Sequence, residues 1–291
     1  MEKFEFSDLV FDNRKRSTLE YVDITKEIKR DIIKSLALAK SGHSGGSLGI
    51  SEILTVLYFG GYLNYKSEDP SWNKRDRFVL SAGHLAPVLY SVLARAGYFD
   101  PSELSTLRKY NSRLQGHPGL DVKLPGIETS TGSLGQGVSI AVGMAISDKI
   151  IDKSDRKVFC LTGDGELQEG ASWEAAMAAG SLKLNNFCWI VDNNDCQIDG
   201  RVKDVMSVYP IDKKFDAFNF DVIQIDGHDY VQIESAFNKF LENSKNENAG
   251  PTCIIAKTFM GNGISFMHDK YQWHGNPPKP DQAIQALMEL E

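Results

Sequence analysis

A chain of 291 residues, 42% apolar, cannot be intrinsically disordered; it is long enough for one large domain, or for one domain with a satellite. With 32 basic against 39 acidic side chains and a formal charge of -7, it does not suit affinity built on neutralising many phosphates of DNA or RNA. No apolar run approaches the roughly 20 residues needed to span a bilayer, and the opening MEKFEFSDLVFDNRKR has no apolar signal stretch. Cys160, Cys188, Cys196 and Cys253 lack the spacing of a zinc knuckle or a dithiol motif, so reduced core cysteines in a soluble cytoplasmic protein are expected.

Residues 1 to 17 are charged, without a clear period, and read as an arm ahead of a domain spanning 18–291. From Thr18 the residues Ile24, Ile28, Ile32, Ile33, Leu36 and Ala39 recur at helical spacing, and the pattern halts at Ser41-Gly42. SGHSGGSLG then reads as a tight loop exposing its backbone rather than as a regular element, followed by a helix from Ile50 to Phe59. DRFVLS, residues 76–81, predicts a buried strand, and Leu85 to Ala96 a helix. The stretch 110–137 is dense in Gly, Pro, Ser and Thr and predicts a long irregular passage, which in a compact domain usually has a functional reason. A helix is expected from Val138 to Ile150.

Beyond it, KVFCLTG, FCWIVDN, FDVIQID and PTCIIAKT are short apolar runs, with helical patterns at Glu169–Leu182 and Tyr230–Leu241 in two of the gaps. Continuous apolar strands alternating with helices predict an α/β fold, a parallel sheet covered by helices on both faces. The tail HGNPPKPDQAIQALMELE predicts a short amphipathic helix.

Ligands of such sheets bind beyond the carboxyl ends of the strands. TGDGELQEG follows KVFCL there, and its Asp164 stands between Gly163 and Gly165, which let the backbone turn sharply. The next strand ends in Asp192, Asn193 and Asn194. A carboxylate and an amide oxygen at neighbouring strand ends suit a hard, oxygen-loving ion such as Mg2+, which completes its shell with phosphate oxygens and water. Five of the six histidines lie beside glycine or at an element boundary, where imidazoles with pKa values near about 6.5 can relay protons.

The GDG followed one strand later by NN resembles the thiamine diphosphate signature. The chain is also similar to the N-terminal part of transketolases in SGHSGG, LSAGHLAPVLYSVLARAGYF, LQGHP, TGSLGQGVSIAVGMA, GDGELQEGASWEAAMAAG and WHG, from about residue 20 to about residue 280. The resemblance implies a thiamine diphosphate-binding fold and transfer of a two-carbon ketol unit from a ketose phosphate to an aldose phosphate. It places a divalent ion on Asp164, Asn194 and the main-chain carbonyl of Cys196. It puts His43, His84, His117 and His274 around the cofactor and the sugar, with Ser41, Gly132, Ser133, Leu134, Gly163, Gly165 and Glu169 in the cofactor and substrate loops. Glu169 matches a residue that links paired active sites; His268 competes with His274 for its role, and His228 has no assigned chemistry.

The glutamate that activates the cofactor belongs, in the family, to a second domain of the same fold. The resemblance therefore implies the N-terminal subunit of a split enzyme, partnered by a C-terminal subunit that supplies the pyrimidine-binding domain and that glutamate, as a two-plus-two hetero-oligomer. Serine in SGHSGG stands where full-length members usually carry proline. A split enzyme for a sulfonated, branched or secondary-metabolic sugar is the first rival reading. The second is a non-catalytic scaffold, whose hallmark would be loss of the metal or histidine positions.

Overall fold

The computed structural model describes residues 4–291; Met1 to Lys3, the first part of the expected arm, lie outside the described residues. In chain order the elements are α1 (Thr18–Ala39), α2 (Gly45–Gly49), α3 (Ser51–Phe59), β1 (Arg77–Leu80), α4 (Ala86–Arg95), α5 (Gln136–Ile146) and β2 (Val158–Gly163). Next come α6 (Gly170–Ser181), β3 (Phe187–Asn193), β4 (Cys196–Gln197), β5 (Gly200–Arg201), α7 (Val202–Val205), α8 (Ile211–Ala217), β6 (Asp221–Asp226), α9 (Tyr230–Asn243), β7 (Thr252–Lys257) and α10 (Pro280–Glu289). The sheet has five parallel strands in the order β1-β2-β3-β7-β6, while β4 and β5 form a small antiparallel pair.

Alternate residues of the central strands feed two separate cores. Phe159 and Leu161 of β2, Cys188 and Ile190 of β3, and Ile254 and Ala256 of β7 pack with α1, α3, α4, α9 and α10. Val158 and Cys160, Phe187, Trp189 and Val191, and Cys253 and Ile255 pack with α5, α6 and α8 on the other face. Both faces are therefore apolar, which is why these strands read as continuous hydrophobic runs. Trp189, fully buried, donates its indole N–H to Thr162 Oγ1 at 2.8 Å, so its polar handle is satisfied. All four cysteines are buried and free.

Local chemistry sets the element ends. Ser17 and Glu20 form a reciprocal capping box on α1, Ser17 N donating to Glu20 Oε2 at 2.9 Å, and Lys40 closes the helix in a left-handed conformation. Asp229 caps α9 through the N–H groups of Val231 and Gln232, and Ile233, Ala236, Phe237 and Phe240 make its buried stripe. Residues 4–17 form no helix or strand, yet Phe4, Phe6 and Phe11 pack against the core.

Two expectations need correction. SGHSGGSLG is not wholly loop: Gly45–Gly49 is helical and leads almost directly into α3. Its glycines are there for contact, since a β-carbon on Gly45 would lie 2.3 Å from Met260 Sδ and one on Gly49 2.9 Å from Phe259 O. The helix expected at Val138–Ile150 begins at Gln136 and loosens into a π turn over Ser147–Ile151. Finally, the short helix α8 and the 3-10 turn at Pro101–Thr106 have no counterpart in the sequence reading. No helix among the described residues is long and apolar enough to cross a membrane.

Candidate functional site

A cavity of about 330 Å³ opens beyond the carboxyl ends of β1, β2, β3 and β7. His84 reaches it from the 3-10 turn just after β1, and Gly163, Asp164 and Gly165 from the end of β2. Asn194 and Cys196 come from the end of β3, His274 and Met260 from the segment following β7, and His43 from the turn before α2. His117, Gly132 and Leu134 come from the long irregular passage.

Four imidazoles converge there. Ring centroids lie 5.1 Å apart for His43 and His84, 5.0 Å for His84 and His274, 5.6 Å for His43 and His274, and 6.5 Å for His43 and His117. The approach depends on glycine. A β-carbon on Gly83 would lie 2.7 Å from Gly132 N, and Gly132, at φ +131, lies so close to His117 that a β-carbon would meet its ring at 2.8 Å.

Burial, then the charge of His274, Arg108 and His117, pushes the His43 imidazole down to about 4. Burial dominates at the others, holding His84 well below the ordinary histidine range and lowering His117 and His274. All four are thus neutral at pH 7. His43 Nδ1 and His274 Nδ1 are buried without a hydrogen-bond partner, an arrangement that costs stability unless a ligand fills it. Unfolded imidazoles take up a proton near about 6.5, so the stability associated with neutral burial is complete above that pH and is lost as pH falls towards the folded values. An NMR titration of the ligand-free chain should show His43 protonating near pH 4. A His43 midpoint near 6.5 would mean a water-exposed ring and would contradict the packing.

Opposite the histidines the site is acidic. Asp164 is 1% exposed; its carboxylate accepts from Gly165 N at 2.8 Å and Asp195 N at 2.6 Å. Asp192, also buried, accepts from Asn194 Nδ2 at 2.8 Å and from the Thr258 hydroxyl, joining the ends of β3 and β7. Burial and Asp192 push the Asp164 carboxyl up to about 8. No lysine or arginine among the described residues forms an ion pair with Asp164 or Asp192. Asn194 lines the cavity, whereas Asn193 is turned away and accepts from the Tyr209 hydroxyl at 2.7 Å. The Cys196 thiol receives Arg201 Nη1 at 3.2 Å. A buried carboxylate without a countercharge, beside an amide and a carbonyl, is a donor set that fits a hard divalent ion.

Not every expected residue reaches the cavity. Ser41 lines a neighbouring groove, Ser133 is exposed beside the site, and Glu169 is exposed at the start of α6, where its side chain packs against Gly135. His268 packs against Phe259, with ring centroids 5.0 Å apart and planes tilted by 38°, and lies outside the cavity, so His274 alone of the two joins the cluster.

A sequence profile described as transketolase, thiamine diphosphate binding domain, matches residues 20–290. The chain belongs to this family. It is 41% identical over 270 residues to transketolase of Homo sapiens, covering 92% of this chain but 41% of that protein. It is 41% identical over 267 residues to an apulose-4-phosphate transketolase subunit of Actinobacillus succinogenes, covering 91% of this chain and 94% of the relative. The crystal structure of Campylobacter jejuni transketolase superposes with a TM-score of 0.85 at 35% identity, over 94% of this chain and 43% of that one. The chain thus spans about two fifths of the length of full transketolases and nearly the whole length of the relative that is itself one subunit.

Within this transketolase domain, the sequence reading missed Glu166. Its Oε1 accepts from Ser81 Oγ at 2.5 Å and Gly135 N at 2.8 Å, and its Oε2 is buried without a partner. Burial pushes its carboxyl up to about 7. The signal was present, a third acidic residue within GDGELQEG, but spacing alone does not separate a buried glutamate from a surface one. His228 is also structural in its contacts: its Nε2 accepts from Phe259 N at 3.0 Å and its Nδ1 pairs with Asn262 Nδ2 at 2.9 Å, fastening the segment after β7.

Proposed function

We propose that this chain is the diphosphate- and metal-binding subunit of a two-chain, thiamine diphosphate-dependent transketolase that transfers a two-carbon ketol unit from a ketose phosphate to an aldose phosphate. The observation that carries the reading is one cavity with four neutral histidines on one side and the Asp164, Asn194 and Cys196 donors on the other. The apulose-4-phosphate relatives, whose names make each of them one subunit of a transketolase and which match over 94% of their length, support a partner chain. That partner would be a C-terminal subunit supplying the pyrimidine-binding domain and the activating glutamate, in a two-plus-two assembly. The free, buried cysteines fit a cytoplasmic protein.

Asp164, Asn194 and the Cys196 carbonyl would hold Mg2+, which neutralises the diphosphate. Gly132, Leu134, Gly163 and Gly165 bring backbone close to it, with Ser41, Ser133 and Glu169 in the flanking loops. When bound, thiamine diphosphate supplies the nucleophilic carbon that makes ketol transfer possible. The protein's own work is proton traffic and orientation. Neutral His43 and His274 accept the proton that a ketose hydroxyl loses as its carbon–carbon bond breaks, and return one to the oxygen of the acceptor aldehyde. His84 and His117 donate to substrate or diphosphate oxygens and keep water out of the pocket.

A second reading is favoured by the names of relatives of matching length: two are apulose-4-phosphate transketolase subunits, and one from Clostridium sp. is a 6-deoxy-6-sulfo-D-fructose transketolase subunit. On that reading the donor or acceptor is a branched or sulfonated sugar. Co-expression with the protein encoded beside this chain's gene, followed by assay of ketol transfer from xylulose 5-phosphate to ribose 5-phosphate with thiamine diphosphate and Mg2+, separates the cases. Activity only in the co-expressed complex is the expected result. A complex that retains the cofactor but is inactive on these sugars points to the second reading, and full activity of the chain alone would overturn the two-chain proposal. A scaffold role is disfavoured by the intact Asp164, Asn194 and four-histidine set.

A further inference from the structure

We propose that Glu166 is a positioning residue that sets the walls of the cavity: through one carboxylate oxygen it fastens the turn carrying His84 and the glycine loop 132–134 to the loop carrying Asp164. The inference rests on the ketol-transfer reading and adds to it a residue that acts through others.

Three segments meet at this side chain. Glu166 lies two residues after Asp164, in the 3-10 turn Gly165–Gln168. Its Oε1 accepts both from Ser81 Oγ at 2.5 Å, just past the end of β1, and from Gly135 N at 2.8 Å, at the start of α5. Ser81 leads into the 3-10 turn Gly83–Leu85 that holds His84. Gly135 follows directly on the loop 132–134, whose Gly132 and Leu134 line the cavity. The glutamate is fixed in its turn, because its carbonyl accepts from Glu169 N at 3.1 Å and Ser172 Oγ at 3.2 Å, where α6 begins.

The arrangement caps α5 from outside that helix. The first N–H groups of a helix need acceptors from beyond it, yet the N-cap here is Gly135, at φ +79, with no side chain to offer. Glu166 takes the Gly135 N–H, and the Ser81 hydroxyl that donates to Glu166 accepts from Val138 N at 3.0 Å. A carboxylate thus stands at the positive end of an 11-residue helix, where negative charge is favoured. Glycine makes the close approach possible: a β-carbon on Gly137 would lie 2.7 Å from Ser81 Oγ, and one on Gly83 2.7 Å from Gly132 N. The His84 turn and the glycine loop therefore pack backbone to backbone and are pinned at a single oxygen. Glu166 is 2% exposed and Ser81 fully buried, so these hydrogen bonds face little competition from water. A histidine carried on a turn depends on such support, since a displacement of about 1 Å costs about 100-fold in rate.

The test compares Glu166→Gln, Glu166→Leu and Ser81→Ala. Glutamine keeps an acceptor oxygen where the two donors meet, leucine removes it, and Ser81→Ala removes only the bridge to the His84 turn. In the two-chain complex, kcat/KM for ketol transfer should fall about 100-fold in Glu166→Leu and about tenfold in Ser81→Ala, and stay within about threefold in Glu166→Gln. NMR of the ligand-free chain supplies the readout that a merely stabilising glutamate would not move. The ring signals of His84 and His117 should shift in Glu166→Leu while those of His228 and His268, outside the cavity, hold their places; in Glu166→Gln all should hold. Unmoved His84 and His117 signals in Glu166→Leu, or wild-type kcat/KM there, overturn the proposal. Equal losses in Glu166→Gln and Glu166→Leu also overturn it, because charge rather than a shared acceptor would then matter. If Glu166→Leu does not fold, Ser81→Ala decides: a shifted His84 signal sustains the proposal and an unmoved one overturns it. If the wild-type complex transfers no ketol unit, the functional reading fails separately, and the NMR comparison alone judges Glu166.

Discussion

Asp164→Asn should weaken binding of thiamine diphosphate with Mg2+ by at least about 100-fold while leaving the fold intact. The substitution preserves shape and removes the charge, but Gly165 N and Asp195 N donate to different oxygens of Asp164, so the amide keeps an acceptor for only one of them. In the ligand-free protein a charge there would have no partner: Asp164 and Asp192 are each 1% exposed, and burial, then Asp192, raises the Asp164 carboxyl. With its carboxyl raised to about 8, Asp164 carries a proton at pH 7 in the ligand-free protein, and a divalent cation would displace that proton and hold the carboxylate charged. One lost backbone hydrogen bond costs about 1 kcal/mol, so the stability of the ligand-free variant should stay within about 2 kcal/mol of wild type. The ligand-induced gain, about 2.7 kcal/mol at a ligand concentration of 100 Kd, should vanish. Thermal unfolding with and without Mg2+ and thiamine diphosphate, together with calorimetry, reads both quantities. Wild-type affinity in Asp164→Asn would remove Asp164 from the metal site.

The parts of this site that were legible in the sequence are those where local chemistry and strand position coincide. Asp164 follows an apolar run and is flanked by glycines, so its place at a strand end could be deduced before any fold was known; Asn194 could be deduced similarly, one strand later. The histidines were legible as residues beside glycine, but their convergence was not, because they come from four segments that only the sheet brings together. His274 could not be separated from His268 until the 3-10 turn at Tyr271–Trp273 was seen to aim one of them inward. Helix α2 failed for a different reason. Glycine lowers helix propensity, yet Gly45, Gly46 and Gly49 are buried against Met260, Leu85 and Phe259, so tertiary packing overrides the local preference. Glu169 shows the opposite limit: its motif places it at the cofactor loop, while this chain leaves it exposed at the start of α6.

Arg95→Met should destabilise the protein by about 3–5 kcal/mol, the largest loss expected from a single change away from the cavity. Arg95 ends α4 and is fully buried, as is Asp31 of α1. Its Nε and Nη2 donate to the two Asp31 oxygens, each at 2.7 Å, and Nη2 also reaches Glu27 at 3.0 Å. Nη1 donates to the carbonyls of Ser7 and Leu9, both at 2.8 Å, and Phe11 N donates to Arg95 O at 2.7 Å. One guanidinium thus joins two helices and fastens the N-terminal arm across them. Methionine fills much of the volume but leaves the Asp31 carboxylate buried and unpaired, and it strands two carbonyls of the arm. Lysine would not rescue it, because an ammonium cannot reproduce the planar fork that meets both oxygens of Asp31. The double variant Asp31→Leu/Arg95→Met should recover most of the loss, since the penalty comes from the orphaned charge rather than from the absence of an ion pair. In both variants the arm loses its anchor, so cleavage within residues 4–17 by a protease should accelerate even where global stability returns. Urea unfolding gives the first quantity and limited proteolysis the second. A loss below about 1 kcal/mol in Arg95→Met would show that water reaches Asp31 and that the pair is not the buried junction the packing describes.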